Sequence, residues 1–196
     1  MSELSAVEWI GALAGLACVW LLARASIWNW PVSILSTTLY FVVFLRARLY
    51  ADALLQVVFT LLGVYGWWSW RFGGGQGAEL PIRRATRAQA ALAAALALAG
   101  VALSALVLAR ATDSPVPVWD SSVLVLSLVA TWGQARKIVE SWWIWIAVDV
   151  ISVPLYVTRE LYPTALLYTL FLLLCLSGLR RWNALLREQV PAGVPS

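Results

Sequence analysis

Seven apolar stretches, each near the length of a membrane-spanning helix, follow one another along the 196-residue chain. About 20 apolar residues in helical form cross a hydrocarbon layer roughly 30 Å thick. The composition agrees, because 62% of the residues are hydrophobic, 12% are charged and the mean hydropathy is +0.80. We therefore predict an all-α integral membrane protein with seven transmembrane helices, at Val7 to Ala23, Ile27 to Leu45, Tyr50 to Trp70, Ala88 to Ala109, Trp119 to Ala135, Trp142 to Thr158 and Tyr162 to Trp182.

The distribution of Lys and Arg predicts the orientation of these helices. Four of the 14 basic residues lie on the side of the membrane that holds the N-terminus, and ten lie on the opposite side. Because basic residues favour the cytoplasmic side, we expect the N-terminus outside and the C-terminus in the cytoplasm. The N-terminus lacks the basic region and the cleavage site of a signal peptide, so we expect the first helix to stay in the mature protein.

The chain contains an internal repeat, which appears when the sequence is shifted so that Leu49 meets Leu161. In this alignment nearly half of the positions from Leu49 to Trp70 are identical to their partners, including Tyr, Phe, Gly and Trp matches. Corresponding helices stand four apart, so both copies cross the membrane in the same direction. We predict a 3+1+3 plan, with a first three-helix repeat over 1–70, a loop and linker helix over 71–118, a second repeat over 119–183 and a tail over 184–196. Transporters with parallel repeats bind substrate near the midplane where the repeats meet.

Asp149 lies inside the sixth apolar run, about 10 Å of helical rise from Trp142. It belongs to a stripe of polar and aromatic residues with spacings of four, three and four, namely Trp145, Asp149, Ser152 and Tyr156. Acids inside a membrane are rare and usually functional, so this stripe predicts the wall of a site for a cation or a hydrogen-bond donor. The structural alternative is a hydrogen bond to a neighbouring helix, or a protonated acid buried for packing.

The second helix carries a similar stripe, and two further polar or aromatic residues lie on the third and seventh helices. The stripe holds Trp30, Ser33, Thr37 and Tyr40, and the two further candidates are Gln56 and Tyr168. We predict that these six residues join the sixth-helix stripe in binding a substrate. For the hydroxyl and amide groups, ordinary bonds to the backbone or across helices are an equally good interpretation.

The residue content argues against several other classes of protein. The chain has no histidine, its two cysteines lie in apolar runs and its one lysine, Lys137, lies in a loop. We therefore expect no metal, no cofactor and no enzymatic activity, since a nucleophile with its base or a set of metal ligands is missing. The basic residues form no continuous stripe, so we expect no nucleic-acid partner. A structural or assembly protein remains an open alternative.

A set of short motifs resembles the Pnu-type vitamin transporters over about Ile27 to Trp70 and Trp132 to Trp182. The motifs are Leu49-Tyr50 with Asp52, Leu55-Gln56, Tyr65-Gly66-Trp67 with Trp70, Glu140 with Trp142, Trp145 and Asp149, Leu161-Tyr162, and Gly178 with Trp182. The resemblance implies a facilitator of the bacterial inner membrane with a SWEET-like 3+1+3 fold. It also implies binding residues at Trp30, Gln56, Trp145 and Asp149.

The leading expectation from the resemblance is uptake of nicotinamide riboside, which a cytoplasmic kinase traps after entry. Trp30 and Trp145 would stack on the pyridinium ring and Asp149 would offset its charge. Gln56, Thr37 and Ser152 would take the carboxamide and the ribose hydroxyls. The alternative substrate is thiamine, also a flat cation, or another vitamin precursor. The expected partners are the vitamin and the lipid bilayer, and a homo-oligomer is possible.

Overall fold

The computed structural model describes residues 3–46, 48, 50–75, 78–111 and 116–189, and these residues form seven α-helices. The helices are α1 (Glu3–Ala23), α2 (Asn29–Arg46), α3 (Tyr50–Phe72), α4 (Arg87–Ala111), α5 (Pro117–Ala135), α6 (Ser141–Thr158) and α7 (Tyr162–Glu188). The predicted all-helical fold with seven helices is confirmed. The largest difference is that α7 continues past Trp182, because a helix that leaves the apolar layer needs no apolar residues to go on. Parts of the predicted loops, repeats and tail lie outside the described residues, namely 1–2, 47, 49, 76–77, 112–115 and 190–196.

Several helices have the length and composition of membrane spans. Four described segments meet both requirements: Asp52–Phe72, Arg87–Arg110, Ser141–Thr158 and Tyr162–Glu188. On α4 the leucine side chains are largely exposed, and Leu98 reaches 74%. Exposed apolar surface of this extent is stable in contact with acyl chains and unfavourable in water.

The internal repeat extends to the backbone of the helix connections. Among the described residues, four residues other than glycine have a positive φ angle, namely Ala25, Arg48, Lys137 and Glu160. The repeat alignment pairs Ala25 with Lys137 and Arg48 with Glu160. The hydrogen bonds repeat as well, since the Ser26 amide donates to the Leu21 carbonyl (3.0 Å) and the Ile138 amide donates to the Gly133 carbonyl (2.9 Å). Both bonds belong to the left-handed closure that often ends a helix.

The described chain folds as two compact units. The first unit comprises described residues of Met1–Ile82, Ala135–Lys137 and Ser177–Ser196, and in it α2 packs against both α1 and α3. Its core holds two tryptophans that are partners in the repeat, Trp70 and Trp182, with ring centroids 5.8 Å apart. The Trp182 indole donates to the Leu22 carbonyl at 3.0 Å. The first unit is therefore held together at one end by buried indole rings.

The second unit comprises described residues of Arg83–Gln134 and Ile138–Leu176. Glu140, just before α6, accepts hydrogen bonds from the Ala85 amide at 2.8 Å and from the Arg84 guanidinium at 3.3 Å. The Val139 amide donates to the Arg83 carbonyl at 3.0 Å. These bonds fix the start of α6 against the segment that leads into α4.

Candidate functional site

The middle of the α6 stripe is buried in the structure, and several polar atoms of the stripe lack hydrogen-bond partners among the described residues. Asp149 and Ser152 are 2% and 1% exposed. Within the described part of the chain, no hydrogen-bond partner meets Trp145 Nε1, Asp149 Oδ2 or Ser152 Oγ. The spacing along α6 places these three groups on one face of the helix. The stripe therefore presents two acceptor oxygens and one N–H donor with unused hydrogen-bonding capacity.

This unused capacity distinguishes Asp149 from Glu140, the acid that precedes α6. Glu140 already bonds Arg84 and the Ala85 amide. An unpaired polar atom in an apolar interior costs about 1 to 3 kcal/mol, and a charged one costs more. Acids inside a membrane are usually functional, and a ligand that binds Asp149 would offset this cost. The α6 stripe is therefore the strongest candidate for a binding site.

A proline further along α6 interrupts the hydrogen bonding of the helix beyond Asp149. Pro154 lies inside the helix and has no N–H, so the Val150 carbonyl loses its usual helical partner. Interrupted helices with free carbonyls line the substrate and ion sites of many transporters. The proline stands five positions after the acid in the sequence.

Cys175 of α7 is a functional candidate that the sequence analysis missed. Its side chain is 3% exposed and its thiol hydrogen-bonds the Asp149 carboxyl group. The repeat contained a usable signal, because the repeat alignment pairs Cys175 with Gly63. The second copy thus places a thiol beside its acid where the first copy has no side chain.

The two predicted tyrosines of the second unit meet each other. The rings of Tyr156 and Tyr168 lie 5.0 Å apart between centroids at an interplanar angle of 47°, and Phe171 packs edge-on against Tyr168 at 5.8 Å. Tyr156 shares the α6 face with Ser152. The second unit therefore brings its five predicted residues into one region of α6 and α7.

Trp30 is the most constrained of the predicted residues of the first unit. It is 3% exposed and packs edge-on against Trp70, with centroids 5.5 Å apart at 86°. A Cβ atom on Gly66 would lie 2.4 Å from the Trp30 ring, so only glycine allows α3 to approach this indole. The Nε1 atom of Trp30 has no hydrogen-bond partner among the described residues. Trp30 is thus packed as a core residue and keeps one unused donor.

The other predicted residues of the first unit are bonded or packed locally. The Thr37 hydroxyl contacts the Thr60 hydroxyl at 2.8 Å and donates to backbone carbonyls of its own helix at 3.1 Å. Ser33 hydrogen-bonds the Cys18 thiol. Tyr40 stacks on Phe44 with centroids 5.8 Å apart. Gln56 is half-buried on α3, one turn before Thr60.

Lys137 is buried in the first unit, although the sequence places it in a loop. Its ammonium nitrogen lies 4.5 Å from the centroid of the Trp70 ring, and the residue is 7% exposed. Burial lowers the pKa of Lys137, and the nearby charge of Glu79 acts in the opposite direction. A cation against an indole face is a stabilising contact, so we interpret Lys137 as part of the core of the first unit.

Apolar helices of spanning length, together with a buried carboxylate oxygen that lacks a described partner, define a multi-pass membrane protein with an interior polar site. The chain belongs to the nicotinamide mononucleotide transporter family, whose family model matches residues 5–184. The predicted relationship to the Pnu-type transporters is thereby confirmed.

Individual relatives differ in the vitamin that their names give. The chain is 30% identical to the nicotinamide riboside transporter PnuC of Escherichia coli strain K12, over 95% of this chain and 89% of the relative. It is 34% identical to the riboflavin/roseoflavin transporter RibM of Streptomyces davaonensis, over 89% of this chain and 83% of the relative. The crystal structure of the vitamin B3 transporter PnuC matches the fold with a TM-score of 0.75 at 23% identity, over 95% of this chain and 84% of that one.

Proposed function

We propose that this protein carries nicotinamide riboside across the membrane by facilitated diffusion. The observation that supports this most strongly is the buried carboxylate oxygen of Asp149, which has no partner among the described residues. Nicotinamide riboside has a positively charged pyridinium ring, and a buried anion offsets such a charge. The PnuC relative, at 30% identity, supports the same substrate.

The residues of α6 and α7 have complementary roles in this proposal. Trp145 stacks on the pyridinium ring, where a cation–π contact contributes on the order of 1 to 2 kcal/mol when it is desolvated. Asp149 offsets the charge and Ser152 binds a ribose hydroxyl. Tyr156 and Tyr168 supply aromatic surface with hydroxyl groups at its edge. We also propose substrate contacts at five further residues, namely Trp30, Ser33, Thr37, Tyr40 and Gln56.

The proposal includes the arrangement in the membrane. All seven helices cross it in a SWEET-like 3+1+3 plan, with a periplasmic N-terminus and a cytoplasmic C-terminus in the bacterial inner membrane. The left-handed residues that recur at equivalent positions of the repeat support two copies of one three-helix unit. The protein catalyses no reaction, and a cytoplasmic kinase traps the vitamin after entry.

Riboflavin is the second candidate substrate, because the RibM relative is 34% identical to this chain. The isoalloxazine ring is flat, so it can stack on Trp145. It is uncharged at neutral pH and carries an N–H that can donate to Asp149. The two substrates therefore differ in what they require of Asp149, which is a counter-charge in one case and an acceptor in the other.

Binding and transport by the purified protein test the proposal. Titration calorimetry with nicotinamide riboside, riboflavin and thiamine ranks the three vitamins, and uptake into proteoliposomes shows which of them crosses the membrane. We expect nicotinamide riboside to bind most tightly. Uptake should equilibrate its concentration and should not respond to an ionophore that removes the proton gradient, because facilitated diffusion needs no ion gradient.

Each other outcome replaces the proposal with a named alternative. Tightest binding of riboflavin or of thiamine would assign that vitamin as the substrate. Accumulation that disappears with the proton gradient would show coupled transport. Failure of all three vitamins to bind to folded protein would favour a structural or assembly role.

A further inference from the structure

An open groove lies on the surface of the first unit. It has a volume of about 600 Å³ and is formed by the start of α2, the turn before it and the last turns of α3. Its lining includes Trp28, Pro31, Trp67, Trp68, Arg71 and Phe72. No residue of the proposed substrate set lines this groove.

The aromatic walls of the groove are strongly exposed. The exposed fraction is 67% for Trp28, 58% for Trp68 and 55% for Phe72. Tryptophan is enriched at the two interfaces of a membrane, where its ring lies at the level of the lipid headgroups. An exposed aromatic groove at a helix end is therefore suited to contact with lipid.

Arg71 is the one charged residue among those that line the groove. It lies in the last turn of α3, it is exposed, and no hydrogen bond or ion pair to another described residue occupies its guanidinium group. Arg24, in the turn that leads to the groove, adds a second positive charge at this end of the unit. The groove thus combines an apolar surface with an exposed cation that has no partner among the described residues.

We propose that this groove binds an anionic phospholipid, with the phosphate on Arg71 and an acyl chain along the aromatic walls. A guanidinium group matches the geometry of a phosphate through two parallel hydrogen bonds. Basic pockets beside membrane helices bind anionic lipid headgroups in this way. The positive charge also disfavours a cationic vitamin, so this site is distinct from the proposed substrate site and does not depend on the proposed function.

Lipid binding to the full-length purified protein tests the proposal. After removal of lipid in detergent, native mass spectrometry measures the retention of phosphatidylglycerol and of phosphatidylcholine with the same acyl chains. We expect the protein to retain phosphatidylglycerol more strongly. Arg71→Gln should weaken its binding about fivefold, since one basic residue contributes on the order of this factor to contact with anionic lipid.

Matched variants separate the groove from a general effect of charge. Arg46→Gln removes an exposed arginine at the end of α2, in the same unit but outside the groove, and should leave lipid binding unchanged. Arg71→Lys keeps the charge but not the planar fork, so we expect intermediate binding. Circular dichroism of each variant checks that the helices are intact.

Four results would overturn the proposal. They are equal retention of the two lipids, equal binding by Arg71→Gln and the wild type, displacement of the lipid by inorganic phosphate alone, and formation of a dimer that Trp68→Ala abolishes while lipid binding persists. The third would show an ion site only, and the fourth would show an interface between copies of this chain. An intact Arg71→Lys variant that binds as weakly as Arg71→Gln would support a bidentate phosphate contact.

Discussion

Helices α2 and α6 occupy equivalent positions in the repeat, yet their polar side chains are satisfied to different degrees. On α2, the Thr37 hydroxyl hydrogen-bonds the Thr60 hydroxyl of α3 and also bonds backbone carbonyls of its own helix. On α6, Asp149 and Ser152 each keep a buried polar atom without a partner among the described residues. The first copy uses its polar groups to hold helices together, and the second copy leaves them available.

The difference shows how a duplicated scaffold can acquire a site in only one copy. Both helices inherit an aromatic residue at the start of the stripe, Trp30 and Trp145. Trp30 is packed against Trp70 and Gly66, whereas the second copy contributes an acid and a thiol, Asp149 and Cys175. Buried polar groups without hydrogen bonds cost free energy, so packing or a bound ligand has to offset that cost in the second copy.

We expect the largest effect from a substitution of Asp149, the acid of α6. Asp149→Asn should weaken nicotinamide riboside binding by about tenfold to a hundredfold, the usual contribution of a hydrogen bond to a charged group. It should also raise the melting temperature of the ligand-free protein, because the substitution removes a buried negative charge whose Oδ2 atom has no hydrogen-bond partner among the described residues. Calorimetry and thermal denaturation measure the two effects.

Asp52→Asn is the control for that experiment, since Asp52 is an exposed acid in the first turn of α3. It should leave binding unchanged. If Asp149→Asn bound the vitamin normally, or melted at a lower temperature than the wild type, Asp149 would be a structural residue and not a substrate ligand.

The next effect tests the packing of α2. Gly66→Ala places a Cβ atom 2.4 Å from the buried ring of Trp30. We expect the free energy of unfolding to fall by about 1 to 3 kcal/mol, as for other overpacked cores. At Gly75 an added Cβ meets nothing within 4 Å, so Gly75→Ala is the control in a denaturant titration. Equal stability of the two variants would show that Trp30 is free to move. Tight packing would then no longer distinguish Trp30 from Trp145.

A smaller effect compares the two cysteines. Cys175 bonds Asp149 in the second unit, whereas the Cys18 thiol contacts the Asn29 carbonyl at 3.4 Å in the first. Cys175→Ala should weaken vitamin binding about fivefold, the effect of one modest hydrogen bond that positions the carboxylate. Cys175→Ser should restore binding, and Cys18→Ala should not affect it. Equal losses in both alanine variants would assign the thiols to packing alone.

The smallest effect compares two hydroxyl groups at equivalent positions, Thr37 and Ser152. Thr37→Val removes the contact with Thr60 and should lower stability by about 0.6 kcal/mol, with affinity changed by no more than about threefold. Ser152→Ala should lower affinity without loss of stability, because Ser152 Oγ has no described partner to lose. Thermal denaturation and calorimetry on both variants check this. If Thr37→Val instead lowered affinity and Ser152→Ala lowered stability, α2 would carry the binding hydroxyl and α6 the structural one.

Much of the fold was predictable because each apolar run is close to one helix of the structure. The spacing of Trp145, Asp149 and Ser152 also predicted their common face, since a helix repeats every 3.6 residues. Cys175 was missed because its contact with Asp149 joins two helices. The sequence placed Lys137 in a loop, and only the fold shows that it is buried against Trp70. The roles of the ten predicted substrate residues stay predictions.

The amino-acid sequence by itself determined the seven helices, the repeat and the stripe that carries Asp149, because hydrophobic length and helical period are local properties of a chain. The tertiary structure decided which polar groups on those stripes find partners. Thr37 hydrogen-bonds Thr60, and Asp149 Oδ2 has no hydrogen-bond partner among the described residues. Pairing of this kind depends on distances between helices that are far apart in the chain, and no local pattern specifies those distances.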